Sequence, residues 1–193
     1  ILAGWASNSK YAVLGSLRTC AQMISYEIPM GFSVIGVVML AQSMSLVDIV
    51  EAQAGLWNVV YQPLGFFVFF VAAIAEAQRI PFDLPEADGD LGAGYHTEYS
   101  GMRFSFFMIS EYLILVLMSA LIVILFFGGW HGAPIPLPGP VWFLLKISFF
   151  IWVFMWLRFT FPRYRYDQLM TIGWKVLLPL SLANILITGI FFA

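Results

Sequence analysis

Five long stretches of this 193-residue chain are almost free of charged side chains. A helix needs about 20 apolar residues to cross the hydrocarbon core of a bilayer. The stretches have that length and run unbroken, whereas the strands of a membrane barrel would alternate between apolar and polar residues. They cover residues 28–47, 57–75, 104–130, 141–161 and 176–193. The sequence therefore predicts an all-α integral membrane protein, with about five transmembrane helices in a single domain over residues 1–193.

The composition excludes the main alternatives to a membrane protein. Only 10% of the residues are charged and 61% are hydrophobic, whereas about a quarter are charged in a typical soluble domain. A soluble enzyme and a disordered chain are therefore excluded. The single cysteine, Cys20, rules out an internal disulfide and a multi-cysteine zinc or iron–sulfur site. Because the chain starts at Ile1, we interpret it as a fragment that lacks the first part of its membrane domain.

The basic residues predict the orientation in the membrane. With five crossings, all of the nine lysines and arginines except Lys146 fall on one side, and that side is expected to be cytoplasmic. They are Lys10, Arg18, Arg79, Arg103, Arg158, Arg163, Arg165 and Lys175. A bacterial inner membrane fits this pattern, with the mitochondrial inner membrane as the alternative. Ahead of the first span, residues 14–23 are expected to form a partly amphipathic helix at the membrane surface.

The loop of residues 76–103, between the second and third spans, is the most polar part of the chain. Pro81 and Pro85 prevent a continuous helix there, and a loop of this length is usually either functional or disordered. Aromatic residues such as Tyr95 and Tyr99 favour an ordered loop. Its acidic residues are Glu76, Asp83, Glu86, Asp88, Asp90 and Glu98. The alternative interpretation is a solvated acidic linker that only joins two helices.

Three carboxylates lie within or next to the predicted spans. Glu111 follows Arg103 by eight residues, which places it roughly 12 Å along a helix. A charged acid at such a depth costs about 2.5–3.5 kcal/mol, and such residues usually mark ion or proton pathways. Glu27 and Glu76 lie at span ends and could instead be interfacial acids in contact with water. Glu111 could instead form a structural pair, with Lys146 as a counter-charge, although Lys146 could also reach the interface by snorkelling.

Motifs for cofactors are missing from the sequence. It contains no glycine-rich dinucleotide motif, no phosphate-binding loop and no HExxH zinc motif. His96 and His131 are predicted on opposite faces of the membrane and so cannot share a metal. We therefore expect the chain to bind no metal, nucleotide, flavin, iron–sulfur cluster or haem of its own. Any electrons would have to arrive through a neighbouring subunit.

Several motifs in a fixed order resemble one family. They are GWASNSKYAVLGSLR (4–18), QMISYE (22–27), PFDLPEAD (81–88), GYHTEYSGM (94–102), SEY (110–112) and PRYRYDQLM (162–170). Together they resemble the H subunit of the proton-pumping NADH–quinone oxidoreductase, respiratory complex I, called chain 1 in mitochondria. The resemblance covers nearly the whole chain. That family usually has eight spans, and the five predicted here correspond to its last five.

The resemblance implies a function for several acidic residues. Residues that would shape the membrane end of the quinone chamber, and couple it to proton movement, are Asp83, Glu86, Asp88, Asp90, Glu98 and Arg158. A proton path would use Glu27, Glu76 and Glu111. The chain itself would hold no redox centre and no catalytic residue. Quinone would be the substrate, and FMN and the iron–sulfur clusters would lie in partner subunits.

The resemblance also implies partners and leaves alternatives open. The expected partners are the hydrophilic-arm subunits at the quinone site, the neighbouring membrane subunits and the lipid bilayer, without nucleic acid. The nearest alternative is the homologous membrane subunit of an energy-converting hydrogenase or formate hydrogenlyase, which keeps the acidic path but has no quinone. A stand-alone secondary transporter is a second alternative, but the repeated halves typical of that class are not found. A purely structural anchor would leave Glu111 unexplained.

Overall fold

The computed structural model of the protein describes residues 1–83, 99–132 and 138–191. Over these ranges the regular structure is helical and contains no strand, which confirms the predicted all-α class. The helices are α1 (Leu2–Ala6), α2 (Lys10–Ala41), α3 (Leu46–Ala52), α4 (Asn58–Tyr61), α5 (Pro63–Glu76), α6 (Met102–Phe126), α7 (Gly139–Thr160), α8 (Tyr166–Thr171) and α9 (Leu178–Phe191), with a π-helical segment, Ile172–Leu177, between α8 and α9.

Within the described ranges, four helices are long and apolar enough to cross a membrane. They are α2, α6, α7 and the continuous helical stretch Tyr166–Phe191. The predicted second span, residues 57–75, is instead two helices: the single turn α4 and the shorter apolar helix α5. The break falls at Gln62 because Pro63 opens α5, and the fixed φ of proline suits a first helical position while its ring disfavours one further in.

The first span begins earlier than the sequence predicts. The prediction was residues 28–47, preceded by a separate surface helix over residues 14–23, but α2 runs without a break from Lys10 to Ala41. The separate surface helix is wrong because α2 continues through residues 14–23, and polar residues there, such as Thr19 and Gln22, are buried in the protein. At 32 residues and about 1.5 Å each, α2 is roughly 48 Å long and extends beyond a hydrocarbon core of about 30 Å.

The remaining spans shift by smaller amounts. The third ends at Phe126 rather than 130, because Gly128 and Gly129 turn the chain with positive φ angles of 67° and 49°. The fourth runs from Gly139 to Thr160, close to the predicted 141–161. The fifth begins ten residues before position 176, at Tyr166. Within the predicted polar loop, residues 84–98 lie outside the described residues.

The π-helical segment lies between two parts of the last span. A π-helix forms hydrogen bonds from residue i to i+5, so its turns are wider than those of an α-helix. Leu169, Gly173 and Leu177 are buried at intervals of four residues along this stretch. Gly173 lies against α2, since a Cβ there would be 3.5 Å from Ser25. The wider turns therefore keep one face of the helix against α2.

The core forms where α2, α5 and α9 meet, and α6 and α7 close it on a second side. Aromatic rings fill the contact between α5, α6 and α7, as the Phe70 and Phe154 rings show by stacking 5.5 Å apart. Phe66 likewise contacts Phe126 and Phe150 edge to face. The outward faces carry large exposed apolar side chains such as those on α7, as expected for helices that contact lipid.

Candidate functional site

Two of the three predicted proton-path carboxylates line one cavity. Glu76 is the last residue of α5, and Glu111 lies in the third turn of α6. Both border a cavity of about 590 Å³, which also has apolar residues from α1, α2 and α6 in its wall. We call it the Glu76 cavity. The Glu76 atom Oε2 is buried, and among the described residues no donor lies within hydrogen-bond distance of it.

Glu27 belongs to the same neighbourhood but is more exposed. It lies on α2 with its side chain open to the surface. It is close enough to Glu76 for the two negative charges to repel each other. The structure therefore places carboxylates from α2, α5 and α6 in one neighbourhood, and their part in a proton path stays a prediction.

The counter-charge of Glu111 is an arginine that the sequence analysis used only for orientation. Arg79 Nη1 lies 3.0 Å from Glu111 Oε1, and the side chains of Arg79 and Glu111 are 6% and 17% exposed. The guanidinium also lies 4.9 Å from the centre of the Tyr112 ring. Arg79 reaches α6 because α5 stops at Glu76 and Gln78 adopts a left-handed turn with φ of 50°.

A small polar cavity joins Glu111 to the predicted quinone-chamber residues. Asp83 and Arg158 line it together with Arg79 and Glu111. We call these four residues the Arg79 cluster. The cavity measures about 20 Å³, which is room for one water molecule. Members of the two predicted sets, the quinone chamber and the proton path, therefore lie side by side.

A second ion pair fixes the outer edge of this cluster. Arg163 Nη2 donates a hydrogen bond of 2.9 Å to Asp83 Oδ2. Arg163 is 38% exposed and Asp83 is 13% exposed. The backbone supports the same contact, because the Tyr164 N–H donates to the carbonyl of Pro81 over 3.1 Å. The loop between α7 and α8 thus holds the start of the polar loop in place.

Lys146 does not pair with Glu111, and its own contacts explain why. Its Nζ donates to the carbonyls of Phe127, Gly129 and His131, at 2.6, 3.1 and 2.6 Å. It also lies 4.9 Å from the centre of the Trp57 ring. Residues 127–132 form the turn after α6, which we call the Lys146 turn. The lysine charge is satisfied by backbone oxygens at the end of α6 remote from Glu111.

The remaining predicted site residues cannot be placed. Glu86, Asp88, Asp90 and Glu98 lie outside the described residues, so their part in a quinone chamber stays a prediction. Among the residues that the structure does describe, no group of three or more histidine, cysteine, aspartate or glutamate side chains is arranged to hold a metal.

Sequence reasoning missed three residues that organise this site: Arg79, Arg163 and Gln22. The two arginines were counted only in the charge asymmetry between the two sides of the membrane. A signal for Arg79 did exist, since it follows Glu76 by three residues at the mouth of a span. Gln22 donates hydrogen bonds to the carbonyls of Ala75 and Phe82, but it is uncharged, and its position in the QMISYE motif gave no sign of these contacts.

Comparisons with known proteins agree on one family. The family model described as NADH dehydrogenase matches residues 1–189. The NADH-quinone oxidoreductase H subunit numbered 2 in Rhizobium meliloti is 78% identical over 193 residues, which is 100% of this chain and 59% of that protein. The NADH-quinone oxidoreductase H subunit of Geobacillus thermodenitrificans is 57% identical over 192 residues, 98% of this chain and 58% of that protein.

A third relative shows the same partial coverage. The NADH-quinone oxidoreductase H subunit numbered 1 in Geobacter metallireducens is 57% identical over 188 residues, 97% of this chain and 56% of that protein. The chain thus spans somewhat less than three fifths of the length of these curated relatives. A family model that matches nearly every residue, together with identities of this size, leaves one conclusion. The chain belongs to the NADH dehydrogenase family.

Proposed function

We propose that this chain is a membrane subunit of a proton-pumping NADH–quinone oxidoreductase, located in a bacterial inner membrane. It forms the membrane end of the quinone chamber and couples quinone reduction to proton movement through buried carboxylates. Quinone is the substrate, and FMN and the iron–sulfur clusters lie in partner subunits of the complex. The relatives' names, which all specify a quinone oxidoreductase, favour this function over a hydrogenase subunit or a transporter.

The observation that carries the proposal is the Arg79 cluster. Asp83 lies at the start of the polar loop, and Glu111 lies inside a span, yet both line the same small cavity. Arg79 pairs directly with Glu111. Charges in a buried site are weakly screened, so a change of charge at one of these carboxylates acts strongly on the other. A link of this kind is what coupling between a reaction and a proton path requires.

The reaction itself supplies the change of charge. Reduction of a quinone to a quinol takes up two electrons and two protons. The electrons come from a partner subunit, and carboxylates at the membrane end of the chamber provide protons. When Asp83 gives up or regains a proton, the electric field at Arg79 and Glu111 changes. Glu111, Glu76 and Glu27 then exchange protons along the Glu76 cavity, toward the neighbouring membrane subunits.

The Glu76 cavity supports the proposal by its size and lining. Its volume of about 590 Å³ falls within the range of about 300–1,000 Å³ found for small-molecule sites. Apolar side chains such as Leu2 and Ile114 form much of its wall, and the carboxylates of Glu76 and Glu111 lie at one part of it. A mixed lining of this kind suits an apolar molecule with a polar head group.

Glu111 provides the experiment that tests the proposal. In the complete complex, Glu111→Gln removes the titratable group but keeps the size and a hydrogen-bond acceptor for Arg79. Glu111→Asp keeps the proton but shortens the side chain. A proton path predicts that the Gln variant loses most of its coupled turnover and that the Asp variant retains part of it. A purely structural ion pair predicts the reverse order.

The measurements are NADH:quinone turnover and membrane-potential formation, at equal content of assembled complex. NADH oxidation by ferricyanide serves as a control, since it depends on the flavin end of the complex. Glu51→Gln is the matched control variant, because Glu51 is an exposed acid on α3 outside both cavities. Wild-type coupling in the Glu111→Gln variant would remove Glu111 from the proton path and contradict the proposal.

A further inference from the structure

Gln22 is a buried amide that holds two segments of the site together. It lies on α2 and is 1% exposed. Its Nε2 donates two hydrogen bonds, to the carbonyl of Ala75 over 3.0 Å and to the carbonyl of Phe82 over 2.9 Å. One side chain therefore uses both of its N–H groups to join the end of α5 to the turn that follows.

The two carbonyls have a specific place in the chain. Ala75 immediately precedes Glu76, and Phe82 immediately precedes Asp83. Gln22 thus fixes the backbone beside one carboxylate of the Glu76 cavity and beside one carboxylate of the Arg79 cluster. The intervening turn carries Arg79, the partner of Glu111. The amide consequently sets the distance between residues assigned above to two parts of one pathway.

Other contacts also hold this turn, since Arg79 pairs with Glu111 and Asp83 pairs with Arg163. The Phe82 N–H donates to the carbonyl of Arg79 over 2.8 Å, and Tyr164 holds the carbonyl of Pro81. The Phe82 ring packs 5.5 Å from the ring of Tyr26, one helical turn beyond Gln22 on α2. Loss of the Gln22 bonds would therefore remove these two hydrogen bonds from α2, while the ring contact with Tyr26 and the bond from Tyr164 remained.

An amide is well suited to this place. A buried carbonyl without a donor is costly, and a lysine would bring an additional charge next to Arg79. The carbonyl oxygen of Gln22, Oε1, is itself buried and accepts no hydrogen bond from any described residue. The side chain thus donates both of its N–H groups, while its own oxygen accepts no hydrogen bond from the described residues.

We propose that Gln22 is a positioning residue for quinone-coupled proton transfer. It holds Glu76 and Asp83 in register with Arg79 and Glu111, and it neither carries a proton nor contacts the substrate. This inference rests on the function proposed above. It extends that function to an uncharged residue on a helix that supplies only Glu27 to the predicted pathway.

The chain contains a matched control for this proposal. Gln53, on the segment after α3, is also 1% exposed. Its Nε2 likewise donates to two carbonyls, those of Ile49 and Ile124, at 3.0 and 2.9 Å. It lies at the end of α6 that carries the Lys146 turn, remote from Glu111. Gln22 and Gln53 therefore share their burial and a pair of donated hydrogen bonds but differ in what they hold, and Gln53 Oε1 also accepts from the N–H groups of Asn58 and Gly128.

The experiment compares Gln22→Met with Gln53→Met in the complete complex. Methionine has a similar volume but donates no hydrogen bond. At equal complex content, Gln22→Met should lower the kcat of NADH:quinone turnover on the order of 10–100-fold, the scale of an error in placing catalytic groups. Gln53→Met should leave kcat unchanged, although both variants should melt at a lower temperature. Equal kcat losses in the two variants would overturn the proposal.

A double variant tests whether Gln22 acts through Asp83. If it does, Gln22→Met combined with Asp83→Asn should turn over no more slowly than Asp83→Asn alone. Losses that multiply both with Asp83→Asn and with Glu76→Gln would overturn the positioning function and leave the proposed function intact. Wild-type turnover in Asp83→Asn would instead contradict the proposed function at that residue, and the positioning proposal with it.

A third variant covers the case in which Gln22→Met does not assemble. Gln22→Asn keeps the amide but shortens it by one methylene, so that it reaches at most one of the two carbonyls. Its kcat should fall to between those of the wild type and Asp83→Asn. Ferricyanide reduction should remain unchanged. Wild-type kcat in an assembled Gln22→Asn complex would overturn the proposal.

Discussion

The two ends of α6 each hold a buried or half-buried charge, and they stabilise it in different ways. Near the start of α6, Glu111 pairs with the side chain of Arg79. After its end, Lys146 donates to three backbone carbonyls of the Lys146 turn. A buried glutamine also donates to two carbonyls at each end: Gln22 at the first and Gln53 at the second.

This difference in the partners of the two charges indicates which end of α6 can respond to a reaction. Backbone carbonyls do not titrate, so we expect the contacts of Lys146 with the Lys146 turn to stay the same through a catalytic cycle. The Arg79 cluster contains two carboxylates that can gain or lose a proton, and two arginines that can change partners. The first arrangement suits an anchor, and the second suits a switch. Breaking each contact in turn should separate these two behaviours.

The largest effect is expected at Arg79. Arg79→Met removes the direct ion-pair partner of Glu111, and breaking a buried ion pair in this way costs about 3–5 kcal/mol. The amount of assembled complex in the membrane should therefore fall strongly, as measured by immunoblot and native gel. Adding Glu111→Gln to the same chain should restore assembly, because it removes the unpaired charge, but it should not restore quinone turnover.

Arg103→Met is the control for Arg79→Met. Arg103 is exposed near the start of α6, so the variant loses a positive charge from the same end of the helix without exposing a buried partner. It should assemble normally. If the double variant with Glu111→Gln assembles no better than Arg79→Met, the ion pair is not what stabilises this end.

A smaller effect is expected at the opposite end. Lys146→Met leaves three carbonyls without their donor and should lower the free energy of unfolding in detergent by about 3 kcal/mol. Turnover per assembled complex should stay at the wild-type value, since the contacts of Lys146 in the Lys146 turn are backbone carbonyls, which do not titrate. Thermal unfolding and NADH:quinone assays check both parts. A fall in turnover without a fall in melting temperature would place Lys146 on the proton path. The two ends of α6 would then not differ in the way described.

The smallest effect is expected at Arg163. Its pair with Asp83 is partly open to solvent, and such pairs contribute about 0.2–1 kcal/mol. Arg163→Met should therefore lower stability slightly, and less at high salt than at low salt. Melting curves at two ionic strengths measure this. A loss as large as that of Arg79→Met, independent of salt, would show that Arg163 is part of the buried switch.

Much of this contrast was visible in the sequence, and the part that was missed has a physical reason. The length and lack of charge of the spans predicted the helices, and the depth of Glu111 predicted that it would need a partner. The partner was not predicted, because Arg79 lies outside the spans and its path back to α6 depends on the turn at Gln78. A contact that depends on the geometry of a turn cannot be predicted from hydropathy.

The start of α2 shows a second limit. A helix with a polar side beside a span resembles a helix at the membrane surface, and residues 14–23 were interpreted in that way. Gln22 instead faces α5 and the turn after it, where both of its N–H groups donate to backbone carbonyls. Composition reports that a face is polar, but it does not distinguish water from protein as the neighbour of that face.

The π-helical segment has a consequence for which changes of length the last span tolerates. A continuous α-helix turns by about 100° per residue. Because a π-turn holds about one residue more than an α-turn, deleting one residue between Gly173 and Leu177 would give ordinary α-turns and leave α9 facing almost as before. A deletion within α9 before Thr188 would instead turn Thr188 away from Gln62, its hydrogen-bond partner, while Tyr26 still donated to the carbonyl of Leu169. The π-helical segment is therefore the part of the last helix where the loss of one residue should be tolerated best.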